Sequence, residues 1–547
     1  MKKVIALLLA VLMIASLCAC GNNAGTDKPA DQGAQNPAPT KEVTDISENA
    51  VIDKVEVTEE NKDDYIGKTL VVALESEPQN LYGPISTASF AAGNIIRSLG
   101  NTLFETNEDG EYVPCVAESY EWVDDLHLRI KLRQGVMAAD GTEMTAEDVI
   151  YTWQVGLEGT AVNTYDSPFL PDQFVAEDDY TVVMVLDAPW PYLSDNLDEL
   201  AYVLVSKSAT EAAGGVQEAG LNPKVYCGRY NFVEWLPGQH VLLEYNENYW
   251  DKDYIPSYQY IKFTFIPDAA ARCLAVKSGT ADVATGVGLS DTLAYNNDPD
   301  VVVDAFTSKS CGGVALFYRC DEGHFADENV RAAFEYLIDW KACAKVFTGD
   351  ESTVIQGWFN QGSPYYGGPD TREFNFEKGM EYLKKSAYPD GFEFDLKLDP
   401  TVDPTSGELI QSYLEPAGIK ANIIKGDFAT WFGVFATLDY ECYIGGAASS
   451  PLNYSLGYVD ARNGKSTGGP QVVTPELTEY LNVATSTFDE AERAEAIANV
   501  QRYCVEQRFI EGITGLNHYL VHKPGIGNIV PDTTGYTMVY FLRPTAE

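Results

Sequence analysis

Histidines and cysteines are the side chains that most often hold metals or act as nucleophiles, and this chain distributes them sparsely. His518 and His522 stand four apart in "HYLVH", a spacing that on a helix would turn both imidazoles to one side and suit a metal. Tyr519, Leu520 and Val521 between them favour a strand instead, so a joint metal site is not expected. Only five histidines occur in all, which argues against nickel held directly by imidazoles, although a nickel chelate gripped through its organic ligand stays open. Eight cysteines follow residue 20 (Cys115, Cys227, Cys273, Cys311, Cys320, Cys343, Cys442 and Cys504) with no C-x-x-C spacing, so they form neither a zinc ribbon nor a thioredoxin-type pair. HExxH and the Walker-type GxxxxGK[ST] are absent, and no GxSxG nucleophile elbow is read. The expectation is a protein that does no chemistry: not an enzyme, with no metal and no cofactor.

The ends and the composition bound what it does instead. Lys2 and Lys3 precede an apolar run from Val4 to Leu17, too short to span a bilayer comfortably, which reads as an export signal. Leu17-Cys18-Ala19-Cys20 then resembles a bacterial lipobox, with cleavage before Cys20 and lipidation of it, so residues 1–19 are expected to be a lipoprotein signal peptide. Residues 20–65 are rich in Asn, Gly, Pro, Thr, Asp and Glu and cannot bury enough apolar surface to offset their ordering entropy. They are expected to tether a lipid-anchored protein that faces the extracytoplasmic side. Export permits disulfides, and Cys311 with Cys320 can close a hairpin, but scattered thiols equally suit an anaerobic source. The formal net charge of -44 argues against nucleic acid or an anionic membrane surface as partner. About 480 residues remain beyond the tether, more than one core usually supports, so two or more lobes are expected.

The elements are legible in places. Leu126, Leu128, Ile130 and Leu132 alternate with His127, Arg129, Lys131 and Arg133, the pattern of a strand with one buried face. Asp140-Gly141 makes a turn. Thr145-Ala146-Glu147-Asp148 resembles a capping box opening a helix that carries Val149, Ile150 and Trp153 inward. Strand patterns at Tyr180 to Leu186 and Ile261 to Ile266 alternate with helix patterns at Val330 to Val346 and Glu490 to Val505, which makes the chain mixed α/β.

The order of these parts resembles the signature of the family 5 extracellular solute-binding proteins, the dipeptide, oligopeptide and nickel type that serve ABC importers. Val113-Pro114, Ala117-Glu118-Ser119-Tyr120, Asp124-Asp125, Leu132-Arg133, Gly135-Val136, Asp140-Gly141 and Thr145 to Val149 match its recurring segment, with Ala138-Ala139 where Phe-His is usual. "TLVVALESEPQNLYG", "GRYNFVEWLPGQHVLLEYNENYW", "FIPDAAARCLAVKSGTADVA", "NVRAAFEYLIDWKACAKVF", "YPDGFEFDLKL" and "FDEAERAEAIANVQ" resemble further landmarks in order along the mature chain. The resemblance implies a two-lobe periplasmic-binding-protein-like fold (type II, cluster C) with an extra subdomain in lobe one, closing on ligand by a hinge. Lobe one would span 66–305 with the insert near 99–223, lobe two 306–512, and 513–547 would return to lobe one. The implied function is capture of short peptides for an ABC permease in the membrane, by a monomer. A binder of oligosaccharide or another uncharged solute, or of a nickel chelate, is the alternative, and a surface receptor or chaperone without a transporter is a third class.

The resemblance also implies where ligand would sit. In peptide-binding members an Asp follows a Gly-Trp or Gly-Gly pair in lobe two and meets the ligand's ammonium, whose burial alone would cost several kcal/mol. The matching stretch here is Gly445-Gly446-Ala447-Ala448-Ser449-Ser450-Pro451-Leu452-Asn453, in which Ser449 or Ser450 replaces the acid. Glu77, in the first loop, matches a ligand-facing position and can take over that role, or it is a solvated loop acid. Arg97, Arg372 and Arg462 are possible carboxylate partners, each otherwise a surface or interlobe ion pair. Trp358, with Phe359, Tyr365 and Tyr366 in a Gly-rich segment, can stack on a sugar or line a pocket, whereas Trp431 among Phe428, Phe432 and Phe435 reads as core.

Overall fold

The strand Thr69–Leu74 shows how the first sheet assembles. Its "TLVVAL" buries every residue from Leu70 except the half-buried Val71, as a β-branched run does when both faces are covered. It pairs in parallel with Tyr260–Phe265, from Thr69 opposite Tyr260 to Leu74 opposite Phe265, and with Val283–Val287. Parallel neighbours need a crossover, and the helix Ala269–Lys277 supplies one, its N-terminus capped by Asp268, whose side chain accepts from the Ala271 amide at 2.7 Å. The full sheet has seven strands, ordered Val302–Thr307, Asn517–His522, Val283–Val287, Thr69–Leu74, Tyr260–Phe265, His240–Tyr245 and Tyr230–Leu236.

A second sheet of five strands is ordered Lys420–Lys425, Glu393–Leu398, Cys442–Gly446, Gly313–Tyr318 and Ile510–Gly515. Here the helix Pro404–Leu414 is the crossover between the parallel strands Glu393–Leu398 and Lys420–Lys425. The computed structural model describes residues 68–85, 90–107, 112–158, 169–186, 188–191, 202–307, 313–349, 351–359, 363, 365–366, 372–399, 402, 404–426, 437–446, 452–462, 469–515, 517–530 and 537–544. The chain passes from the first sheet to the second between Thr307 and Gly313, and back between Gly515 and Asn517. Two α/β lobes joined by two crossings is the expected fold class.

A separate antiparallel sheet, ordered Ala117–Asp124, His127–Leu132, Thr181–Leu186 and Phe169–Asp178, lies between the first two strands of the seven-stranded sheet's own sequence. The alternation in His127–Leu132 is as expected, with Leu128, Ile130 and Leu132 buried. Trp153 on the helix Ala146–Glu158 is 1 % exposed and packs edge-on against Phe174, ring centroids 4.8 Å apart. At that helix's start Asp148 reaches back to the Thr145 amide at 2.8 Å, but the Thr145 hydroxyl donates to the same carboxylate instead of accepting from a helical N–H. Trp122 of this sheet meets Phe488 of the second lobe edge to face at 4.8 Å.

One expected element differs. The stretch 330–346 is two helices, Glu328–Leu337 and Trp340–Thr348, because Ile338 is extended and Asp339 starts a new helix by accepting from the Ala342 amide at 3.1 Å. Glu490–Glu506 forms one helix as expected.

Candidate functional site

Register decides what the two sheets present to each other. Thr69–Leu74, Tyr260–Phe265, Val283–Val287 and Val302–Thr307 are mutually aligned, so their carboxyl ends lie at the edge from which the chain leaves for the second lobe. In the second sheet Gly446 sits opposite Val314 and Gly515 opposite Gly313, so Cys442–Gly446 and Ile510–Gly515 also end at the crossings. Ligands of open α/β sheets bind outside the carboxyl ends of strands, and here both lobes turn those ends toward the two crossings.

Gly445 and Gly446 stand at that edge of lobe two. A β-carbon at 445 would lie 3.0 Å from the Tyr443 ring, and Tyr443 is itself held by stacking on Phe317 at 4.6 Å, so only glycine fits without displacing the aromatic floor. Asp399, which sequence reasoning missed, ends the neighbouring strand: its amide donates to the Ile444 carbonyl at 2.9 Å and its Cβ lies 3.7 Å from where a β-carbon at 445 would be. Ser449 and Ser450 lie outside the described residues, as do Trp431 and Cys20, and Asn453 falls in the short helix Leu452–Gly457.

Glu77 stands just past the carboxyl end of Thr69–Leu74, exposed but not simply solvated. One carboxylate oxygen accepts from the Trp235 indole N–H at 2.8 Å, and both accept from the Gly238 amide at 3.0 Å. Gly238 holds φ +69 in the turn between the strands Tyr230–Leu236 and His240–Tyr245, a conformation glycine adopts without penalty, and that turn aims its amide at the acid. Glu77, Pro78, Gln79, Leu221, Trp235 and Pro237 line a cavity of about 440 Å³. Trp235 and Gly238 were missed as site residues; the only trace in the sequence is the G-x-Y-x-F-x-x-W run that ends on Trp235.

Other expected site residues are placed elsewhere. Trp358 is 0 % exposed, packed beside Phe359 with ring centroids 5.2 Å apart, and its amide donates to the Gln501 side chain at 3.3 Å. It is core of lobe two and offers no face to a solute, which corrects the reading of its Gly-rich segment as an exposed platform. Tyr365 is half-buried, its ring 5.6 Å from Phe359. Arg372 is no ligand carboxylate partner: it pairs with Glu511 at 2.9 Å, donates to the Ile355 and Gly512 carbonyls at 2.6 Å each, and lies over the Trp340 ring at 4.6 Å. Arg462 forks onto Asp460 at 2.6 and 2.8 Å, and Arg97 is buried on the helix Phe90–Leu99.

His518 and His522 lie on a strand as expected, and His522 bonds Asp304 at 2.8 Å. No group of three or more metal-ligating side chains gathers among the described residues. Cys115, Cys227, Cys273, Cys320, Cys343, Cys442 and Cys504 are buried free thiols, and Cys311 lies outside the described residues. One stretch, Gly464-Lys465-Ser466-Thr467-Gly468, does spell G-x-S-x-G. It lies outside the described residues, and the nearest named element before it is the helix Leu452–Gly457 instead of the strand a nucleophile elbow requires.

Residues 111–465 match the family described as bacterial extracellular solute-binding proteins, family 5. The chain belongs to that family. Its members are extracytoplasmic binding proteins of transport and not enzymes. The chain is 22% identical over 521 residues to the oligopeptide-binding protein OppA of Bacillus subtilis, covering 88% of this chain and 93% of that one. Among solved structures it is similar to the periplasmic binding protein DppA of Helicobacter pylori in complex with the peptide STSA, with TM-score 0.74, 20% identity, and 89% and 100% of the two chains covered. It is also similar to AgaA of A. tumefaciens R10 in complex with agropinic acid, with TM-score 0.73, 22% identity, and 88% and 99% covered. No helix among the described residues is long and apolar enough to cross a membrane.

Proposed function

We propose that this family 5 protein captures short peptides between its two lobes and hands them to an ABC permease, anchored to the membrane through lipidated Cys20 and acting as a monomer. The observation that carries the reading is the convergence of both sheets' carboxyl ends on the two crossings, with Gly445 and Gly446 on one side and the held Glu77 on the other. With the crossings at 307–313 and 515–517, the expected bounds shift by a few residues: 66–307 with 517–547 would move as one lobe and 313–515 as the other, the insert near 99–223 riding with the first. Relatives named for oligopeptide and dipeptide binding support peptide as the cargo. Glu77 and Asp399 are two carboxylates on these edges, and Glu77 is the one placed to balance a ligand's positive charge where Ser449 or Ser450 replaces the expected acid. Ser449, Ser450, Asn453 and Tyr365 would complete the polar and aromatic lining.

A thermal-shift screen of the chain from Gly21 onward, against pooled di- to hexapeptides, oligosaccharides and nickel chelates, tests this. A ligand that binds only the native state raises the melting temperature by mass action. Stabilisation by peptides is the expected result. Stabilisation by oligosaccharides alone would replace the peptide reading with that of an uncharged solute, which the acid-free sequence Ala447-Ala448-Ser449-Ser450 favours. For the anchor, Cys20→Ser should release the chain from the membrane fraction.

A further inference from the structure

The geometry points to the Glu77 cavity as a subsite for a cation on an apolar stem, so that the ligand carries a basic side chain such as lysine or arginine. This rests on the peptide reading above and narrows it. The cavity is built around one carboxylate. Its donors, the Trp235 indole and the Gly238 amide, are neutral, so they fix the position of the charge without cancelling it. No lysine, arginine or histidine forms an ion pair with Glu77 among the described residues, although the same lobe pairs acids with bases at many other points. A carboxylate with both oxygens engaged by neutral donors keeps lone pairs for a further, charged donor.

The rest of the wall suits the stem of such a group. Pro78, Pro237 and Leu221 are apolar, and Leu221 is 58% exposed and open to contact. Trp235 is tied by its N–H edge and half-buried against the lobe-one core while lining the cavity, and a cation over an indole face is attracted to it. Lysine and arginine bury methylenes along apolar surface while keeping the head near a charge. A neutral sugar would leave the carboxylate's charge unbalanced. The volume of about 440 Å³ is ample for one side chain, and the subsite lies at the strand-end edge from which the chain crosses to the second lobe, at the opposite end of the strand order from those crossings.

The test is a positional scan by calorimetry with alanine tetrapeptides carrying lysine or its uncharged isostere norleucine at each position in turn. At one position lysine should bind at least about tenfold more tightly, the scale of a charge-assisted hydrogen bond, and the preference should shrink as salt rises. Glu77→Gln should bring that ratio to within about twofold. Leu221→Lys, on an exposed side chain and therefore safe for folding, should do the same by placing a cation at the carboxylate. Tetrapeptides that bind with no lysine preference, or a preference that survives both variants, overturn the subsite and leave the peptide reading standing. Failure of all tetrapeptides to bind, with sugars binding instead, overturns the peptide reading itself.

Discussion

Glu511→Gln should abolish a specific part of the protein's stability dependence on pH. Glu511 lies on Ile510–Gly515, one of the strands that end at a crossing, and its side chain is 3 % exposed. Arg372 bonds one oxygen at 2.9 Å, and the other has no hydrogen-bond partner among the described residues. Burial dominates and, opposed by Arg372, pushes the carboxyl from 4.5 to about 7; Glu335 adds to the rise and Arg508 works against it. Between those values the native state holds a proton that the unfolded chain has released. Stability from this group is therefore full below pH 4.5 and falls as pH rises toward 7, by up to ~1.4 kcal/mol per pH unit and roughly 3 kcal/mol in all.

Glutamine keeps the shape and cannot titrate. Urea denaturation of both chains at matched ionic strength, from pH 4.5 to 8, gives the difference in unfolding free energy, in which the other acids cancel. That difference, wild type minus variant, should drop by roughly 3 kcal/mol. Parallel curves would mean that Glu511 has the same proton affinity folded and unfolded. A difference that rises with pH would mean that the Arg372 guanidinium, and not burial, controls the carboxyl, and either result refutes the reasoning.

Four further outcomes follow from named contacts. Trp122→Ala removes the aromatic contact between the four-stranded sheet and lobe two at Phe488; ligand affinity should fall about twofold to twelvefold by calorimetry, as expected for ~0.5–1.5 kcal/mol. Asp339→Ala deletes the cap that starts Trp340–Thr348 and should cost about 1 kcal/mol in urea denaturation. Arg229 forks onto Glu105 at 2.7 and 2.9 Å beneath Tyr249, Tyr254, Tyr540 and Phe541, at 4.8 to 5.3 Å. Lysine has neither the fork nor the planar face, so Arg229→Lys should destabilise by about 2–4 kcal/mol, read as a lower melting temperature. The seven buried free thiols should resist a thiol reagent in the native protein, and at least seven per chain should react once it is denatured without reductant.

What the sequence made legible follows the range over which the physics acts. His127–Leu132 was readable because a half-buried strand writes its environment into alternate residues. The break at Ile338 and Asp339 was not, because apolar spacing continues across both helices and the signal is one carboxylate that serves equally as an interior residue or a cap. Trp358 misled for a related reason. Gly357, Gly362, Gly367 and Gly368 around it are the composition of a loop, yet a β-carbon at 357 would lie 2.6 Å from the Gln501 side chain, so that glycine marks close packing on a distant helix and not exposure.

The candidate site is the extreme case. Glu77 was found through its place in a family pattern, but what orients it is Trp235, 158 residues away, and Gly238, 161 away. No local window contains that contact. It exists because Tyr260–Phe265 lies beside Thr69–Leu74 in parallel register, and the hairpin of Tyr230–Leu236 and His240–Tyr245 pairs onto Tyr260–Phe265 with its turn at the same edge. The acid's chemistry is thus a consequence of strand order. An insertion in the hairpin turn at Pro237-Gly238 would leave Glu77 in place and the sheet intact, and would still cost the lysine preference, because it would move the amide that holds the carboxylate.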